Sequence, residues 1–311
     1  MTLNQLRTLL AVADLGSVRA AAAQLYVSQP AVSGAVAALE RELGVELFER
    51  EGRGLRTTPA GQAFIGEARA ALDRLDAGVR LARSVEDPAS GLVRIAAIAT
   101  SAERLVLPLL ASFRRSFPTA EVTIRVGNRT AVWDSIRRGE TDLVVAGRPP
   151  AHVPARVLGK ASNTLVMVAA TPVPDDPREA ARFVRQATWL LREDGSGTRD
   201  AAEELLAQLG TDPPRMVLGS NGAVLAAIAA GFGIGLLPAS AVTGRDDVAR
   251  VPCPGTPIER PWHLAVSTQH RLTPTATLAA RAMLSAADGF APTAEGRRLL
   301  GRDVGGAAPP A

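Results

Sequence analysis

Val27-Ser28-Gln29-Pro30-Ala31-Val32-Ser33 decides the fold at the N-terminal end of the chain. Ser28 has the side chain of a helix N-cap. Pro30 follows just inside the start, where proline's missing N–H costs nothing. Val32, Val36 and Leu39 then recur on one helical face as far as Leu43, and Gly44 supplies the stop. Toward the N-terminus, Leu3, Leu6, Leu9, Leu10 and Ala13 predict a first helix that Gly16 ends. Ser17 opens a second through Ala20–Ala23 to Leu25, and only Tyr26-Val27 separates it from the third. Toward the C-terminus, Val45 to Arg50 and Leu55 to Thr58 flank Gly52-Arg53-Gly54, the pattern of a small hairpin.

Three helices and a hairpin over residues 1–58 resemble the N-terminal winged helix-turn-helix of LysR-type transcriptional regulators. The match runs through Leu6-Arg7, Leu9, Val12, Gly16-Ser17, Ala21-Ala22, Leu25 and the whole of Val27–Ser33. It continues through Leu39-Glu40, Leu43-Gly44, Leu47–Arg50, Arg53 and Thr58–Gly61. The later chain fits the family layout to about residue 290. The resemblance implies double-stranded promoter DNA as a partner, with RNA polymerase as a further one.

The residues agree with that reading. A recognition helix needs short polar groups at its N-terminal turn, where it meets base edges and phosphates. Ser28, Gln29, Pro30 and Ser33 stand there, and Gln29 can pair bidentately with adenine. The family often carries Arg or Lys at the positions held here by Gly34 and Ala37. Six arginines and six carboxylates leave residues 1–58 neutral. Phosphate attraction must therefore concentrate in the hairpin, on Arg50, Arg53 and Arg56, which read as a wing.

Beyond Pro59, Phe64, Ala68, Ala71, Leu75 and Val79 form a heptad-like seam that ends at Asp87-Pro88-Ala89-Ser90-Gly91. Residues 59–87 are thus expected to be a linker and dimerisation helix, supporting a homodimer or homotetramer. Two-fold symmetry is what reading two DNA half-sites requires.

From Val93 onward strands and helices alternate, the signature of an α/β fold. The expected architecture is an N-terminal all-α winged helix-turn-helix, a linker helix and a two-lobed α/β effector module over 91–290 that resembles periplasmic binding proteins. Lobe I takes about 91–162 and 268–290, lobe II about 163–267, and 291–311 is expected to be a flexible tail. Polar residues stand where strands turn into helices: Thr100 and Ser101, Asn128, Ser196, Thr198 and Arg199, and Asn221. Ligands of open sheets bind at the carboxyl ends of strands, and helix starts favour anions. These seven are the candidate effector residues. Leu191–Arg199 resembles a segment of the branch holding regulators of carbon fixation and sulfur assimilation, whose effectors are small anionic metabolites.

Composition bounds the alternatives. The chain has 311 residues, 47% hydrophobic and 21% charged, with a net charge of +4. Its pI near 10.3 says little, because 34 of its 35 basic residues are arginine. One cysteine, Cys253, and three histidines give no metal cluster, no catalytic constellation and no cofactor motif. With neither a long apolar span nor a secretory leader pattern, no membrane association is expected and the cytoplasm is the expected location. Two alternatives from other classes are an enzyme with an appended DNA-binding domain and a solute-binding protein.

Overall fold

Three hydroxyl caps set out the first helices. The Thr2 hydroxyl accepts from the Gln5 N–H, and α1 (Leu3–Leu15) follows. Ser17 accepts from Ala20 to start α2 (Val18–Leu25), and Ser28 from Ala31 to start α3 (Gln29–Leu43). The hairpin pairs β1 (Phe48–Glu51) with β2 (Gly54–Thr57), and α4 runs Pro59–Glu86. The structure is a computed structural model that describes residues 1–51, 54–174 and 176–301. It divides into two units, Met1–Arg83 and Ser84–Ala311.

In the first unit Leu6, Leu9, Leu39 and Leu47 pack with Ala68 and Leu72, flanked by Phe64 and Ile65. Ala68 is therefore buried in the unit's own core, which corrects its assignment to an intersubunit seam, and Phe64, half-buried, packs against that core. The apolar stripe of α4 is used inward over its first turns. Its continuation is bare: Ala71 is exposed, and Leu75 and Val79 are about half exposed.

The second unit opens with β3 (Leu92–Ile98). A continuous helical stretch follows: α5 (Ala99–Ser101), a π-helical turn (Ala102–Val106) and α6 (Leu107–Ser116). Next come β4 (Glu121–Gly127), α7 (Arg129–Arg137), β5 (Leu143–Ala146) and β6 (Ala155–Ala161). The chain then builds a second lobe from β7 (Thr164–Ala170), α8 (Pro177–Gln186), β8 (Trp189–Arg192), α9 (Gly197–Leu209), β9 (Arg215–Leu218) and α10 (Asn221–Ala229). That lobe ends with β10 (Gly235–Pro238), β11 (Val248–Arg250) and β12 (Ile258–Glu259). The return to the first lobe brings β13 (Trp262–Ser267), α11 (Pro274–Ser285), β14 (Ala291–Pro292) and α12 (Ala294–Leu300).

The first lobe is one mixed sheet in the order β14-β6-β13-β5-β3-β4. β3 lies parallel to β4 and β5, and β13 lies antiparallel between β5 and β6. Its cores lie on both faces, around Ile95, Phe113, Leu264 and Met283 on one and Val132, Trp133, Ile136 and Ala265 on the other. In the second lobe β7 pairs antiparallel with β10, β11 and β12, while β8 and β9 pair in parallel.

Two boundaries differ from the sequence reading. β13 belongs to the first lobe, so the crossover falls just before Trp262, not after Ser267; its partners are non-local strands. Residues 291–300 are also no tail. Thr293 caps α12, and its hydroxyl donates to the carbonyls of Val157 and Leu158, while Leu299 and Leu300 pack on the first-lobe core. Residues 302–311 lie outside the described residues. Among the described residues no helix is long and apolar enough to cross a membrane.

Candidate functional site

In the first unit, α3 buries Val32, Val36 and Leu39 and turns Gln29, Pro30 and Ser33 to solvent. The Ser28 hydroxyl is engaged by the Ala31 N–H at 3.4 Å, so its side chain already has a structural task. On the hairpin, Arg50 is exposed, whereas Arg56 stands opposite Glu49 and pairs with it at 2.6 Å. Arg53 lies outside the described residues. The outer turn of α3 thus offers hydrogen-bonding groups, and the hairpin offers charge of which part is answered within the strand pair.

In the second unit a cavity of about 1120 Å³ opens between the two lobes. The carboxyl ends of β3, β4, β8 and β9 reach it, as do the starts of α7, α9 and α10. Parallel strands deliver these ends to one place, and each helix start presents N–H groups without helical partners. Five of the seven candidate effector residues line it: Thr100, Asn128, Ser196, Thr198 and Asn221.

The five are not equivalent. Ser196 stands at the N-cap of α9 but makes no cap hydrogen bond, although it is 5% exposed. Asn128 caps α7 through Ala131 and donates to the Asp194 carbonyl at 3.3 Å, a link from one lobe to the other. The Asn221 Oδ1 accepts from Arg192 at 2.6 Å and so holds that guanidinium.

Ser101 and Arg199 do not reach the cavity. Ser101 is fully buried, and its hydroxyl donates to the carbonyls of Ile98 and Val145, tying the helix to the sheet. Arg199 turns back along its helix to Glu203 at 2.8 Å and to Asp194 at 3.0 Å. As the third residue of α9, it points along the helix surface rather than off its end.

Sequence reasoning missed the basic lining: Arg129, Arg148, Lys160, Arg192 and Arg260, with His263 beside them. Five carboxylates also line the cavity, so position decides more than net charge. Burial pushes the Glu193 carboxyl up, but Arg192, bonded to it at 2.7 Å, more than offsets this and leaves it below the usual range. Burial lowers the basicity of His263, and the charges of Lys160 and Arg148 act the same way against a weaker opposing effect of the Pro261 carbonyl. Burial likewise raises the Cys253 thiol to about 11, which leaves it protonated and unreactive at neutral pH. Among the described residues no cluster of His, Cys, Asp or Glu is placed to hold a metal ion.

Residues 3–62 match the bacterial regulatory helix-turn-helix proteins of the lysR family, and residues 86–288 match the LysR substrate binding domain. The chain belongs to the LysR family of transcriptional regulators. This LysR-family protein is a DNA-binding regulator with an effector-binding module, and it is not an enzyme carrying a DNA reader. It is 31% identical to the RuBisCO operon transcriptional regulator of Acidithiobacillus ferrooxidans, over 88% of this chain and 90% of that one. The crystal structure of full-length CbnR complexed with its target DNA is 25% identical, with a TM-score of 0.68 over 91% of this chain and 98% of that one. The Synechocystis PCC6803 CcmR regulatory domain in complex with 2-PG (2-phosphoglycolate) is 27% identical, with a TM-score of 0.53 over 58% of this chain and 89% of that one.

Proposed function

We propose that this regulator answers to a small anionic metabolite held in the interlobe cavity and reads promoter DNA through α3 and the hairpin. The observation that carries the effector class is Ser196. Its hydroxyl sits at a helix start, nearly buried, lines the cavity and is not spent on capping. Thr100 and Thr198 add two more hydroxyls, and free helix-start N–H groups favour carboxylate, phosphate or sulfate. The related regulatory domain whose structure holds 2-phosphoglycolate supports the same class.

On the DNA side Gln29, Pro30 and Ser33 face base edges, with Ser28 fixing their helix start. Arg50, Arg53 and Arg56 face phosphates. Self-association runs along Ala71, Leu75 and Val79 and gives the symmetric dimer or tetramer that two half-sites demand. The protein works in the cytoplasm, with promoter DNA, further copies of itself and RNA polymerase as partners and no resident cofactor.

A ligand that binds one lobe arrangement better shifts the whole protein toward it. Thr100→Val and Ser196→Ala are therefore expected to leave DNA affinity without effector nearly intact and to abolish the change that 2-phosphoglycolate makes in the DNase footprint. If both variants respond as the parent does, these residues are structural only.

A further inference from the structure

His263 lies on β13 between two partners, Ala146 of β5 and Lys160 of β6. Directly opposed residues on neighbouring strands share a face of the sheet. Trp262, Leu264 and Val266 turn toward the core under α6 and α11. His263 and Lys160 therefore share the other face, at the end that lines the cavity. A register shift opposite Leu264 and Ala265 secures this, because β6 takes in Leu158 as an extra residue there. Gly159 stays against Leu284 and Phe290, and Lys160 falls on the cavity side. Arg148 stands two residues past Ala146, at the same end of β5, and also lines the cavity.

The other basic groups of the cavity are committed. Arg192 is bonded to Glu193, Arg129 lies 3.7 Å from Asp200, and Arg260 lies 3.5 Å from Glu204. Among the described residues the side chains of Arg148 and Lys160 have no ion pair or hydrogen bond. The carboxylates outside those pairs are Glu103 and Glu259, and Glu259 accepts from the Thr164 hydroxyl at 2.9 Å. α7, which covers this face of the sheet, brings apolar Val132, Trp133 and Ile136. The unanswered positive charge thus gathers round His263. That residue is 6% exposed, and its Nδ1 has no hydrogen-bond partner. A buried polar atom left unpaired in an otherwise paired structure calls for an explanation, and a ligand supplies one.

We propose that Arg148, Lys160 and His263 form an anion subsite of their own on the first-lobe side of the cavity. It takes one charged group of a doubly anionic effector, while the helix starts of the second lobe take the other. His263 gains a proton from solvent as the ligand enters and returns it when the ligand leaves. The inference rests on the reading that this cavity holds an anion. It adds the number of charges on the ligand and a proton-linked affinity that rises as pH falls. A cavity of about 1120 Å³ leaves room for a molecule longer than one anionic group.

The test uses the full chain with its histidines labelled with carbon-13, titrated by NMR with sulfate and with 2-phosphoglycolate. There are three histidines, and the signal missing from His263→Gln identifies the one required. Sulfate does not titrate near neutrality, so any proton taken up belongs to the protein. Saturating sulfate is expected to raise the His263 midpoint by about one pH unit. Lys160→Gln and Arg148→Gln are expected to weaken sulfate binding by about tenfold each. Should either probe bind, with weakening by Ser196→Ala, yet leave the His263 midpoint unmoved, the subsite is overturned and the cavity reading stands. Should neither probe bind at millimolar concentration, both fall.

Discussion

Gly61 lies against the carbonyl of Leu47 so closely that a methyl group on it would stand 2.0 Å from the oxygen. The approach is fixed from both sides, because the Thr58 hydroxyl accepts from the Gly61 N–H at 2.9 Å while its backbone N–H donates to the same Leu47 carbonyl at 3.0 Å. Leu47 is itself fully buried in the core of the first unit. Gly61→Ala must therefore push α4 off that core. The expected loss is several kcal/mol, at the upper end of single substitutions, read as a lower melting temperature of the DNA-binding unit with the effector module unaffected. An unchanged melt would mean the hairpin yields at no expense.

The exposed turn of α3 carries the second prediction. Gln29→Ala is expected to lower affinity for the cognate operator by about 1–3 kcal/mol and to change affinity for random DNA little. Gel-shift titrations on both DNAs decide it, and equal losses would remove Gln29 from base reading.

Charge on the hairpin behaves differently for its two described arginines. Arg50 is exposed, while Arg56 is answered by Glu49. Arg50→Ala is expected to flatten the plot of log K against log[salt] by about one unit on every sequence. Glu49→Gln removes one carboxylate partner of Arg56 and is expected to steepen the same plot. A slope that ignores both changes would show that the hairpin does not touch phosphates.

Along α4 the two halves of one apolar stripe should respond in opposite ways. Ala68→Asp places a charge in the buried core and is expected to unfold the first unit. Leu75→Asp and Val79→Asp change exposed positions, so folding should survive and sedimentation should report loss of the oligomer. Variants that remain oligomeric would move the interface elsewhere.

Acid should weaken the ligand-free protein through His263. Its folded value lies below the ordinary 6.5, chiefly through burial, with Lys160 and Arg148 adding to the effect. The unfolded chain therefore binds the proton more readily. This contribution to stability is complete above about pH 6.5 and is lost as pH falls from there through the lower folded value. Thermal melts of the parent should drop more steeply below about pH 6.5 than those of His263→Gln, and parallel curves would refute the linkage.

Local chemistry explains what could be read ahead of the structure. Ser28, Pro30 and Gly44 define α3 within seventeen residues, because caps and stops act on the backbone beside them. The clustering of Thr100, Asn128 and Ser196 followed from strand–helix alternation together with the two-lobed layout that the family resemblance implies. The lobe of β13 is not legible in the sequence, because its partners, Val144–Ala146 and Ala155–Ala161, are more than a hundred residues away in the chain. The pairing of His263 with Lys160 is hidden for the same reason, since only strand register sets them side by side. Ser101 and Arg199 have the right residue types at the right turns, yet one points into the sheet and the other along its helix. α12 reads as tail in the sequence because its short run of arginine, glycine and leucine carries little periodicity; its hold comes from Thr293 and from Gly296, tight against the Leu158 carbonyl.

β14 is only Ala291 and Pro292, yet it occupies the outermost position of the first-lobe sheet, along β6. A proline in an outermost strand has no N–H to offer a further strand. The C-terminal segment thereby works as an end-stop for the sheet. A chain cut at residue 290 would bare the flank of seven-residue β6, with its unpaired amides and carbonyls, to any other extended chain in solution. Trimming these last described elements, which lie outside the part matched to the family domain, would uncover the β6 edge of the sheet and make it a seed for edge-to-edge aggregation.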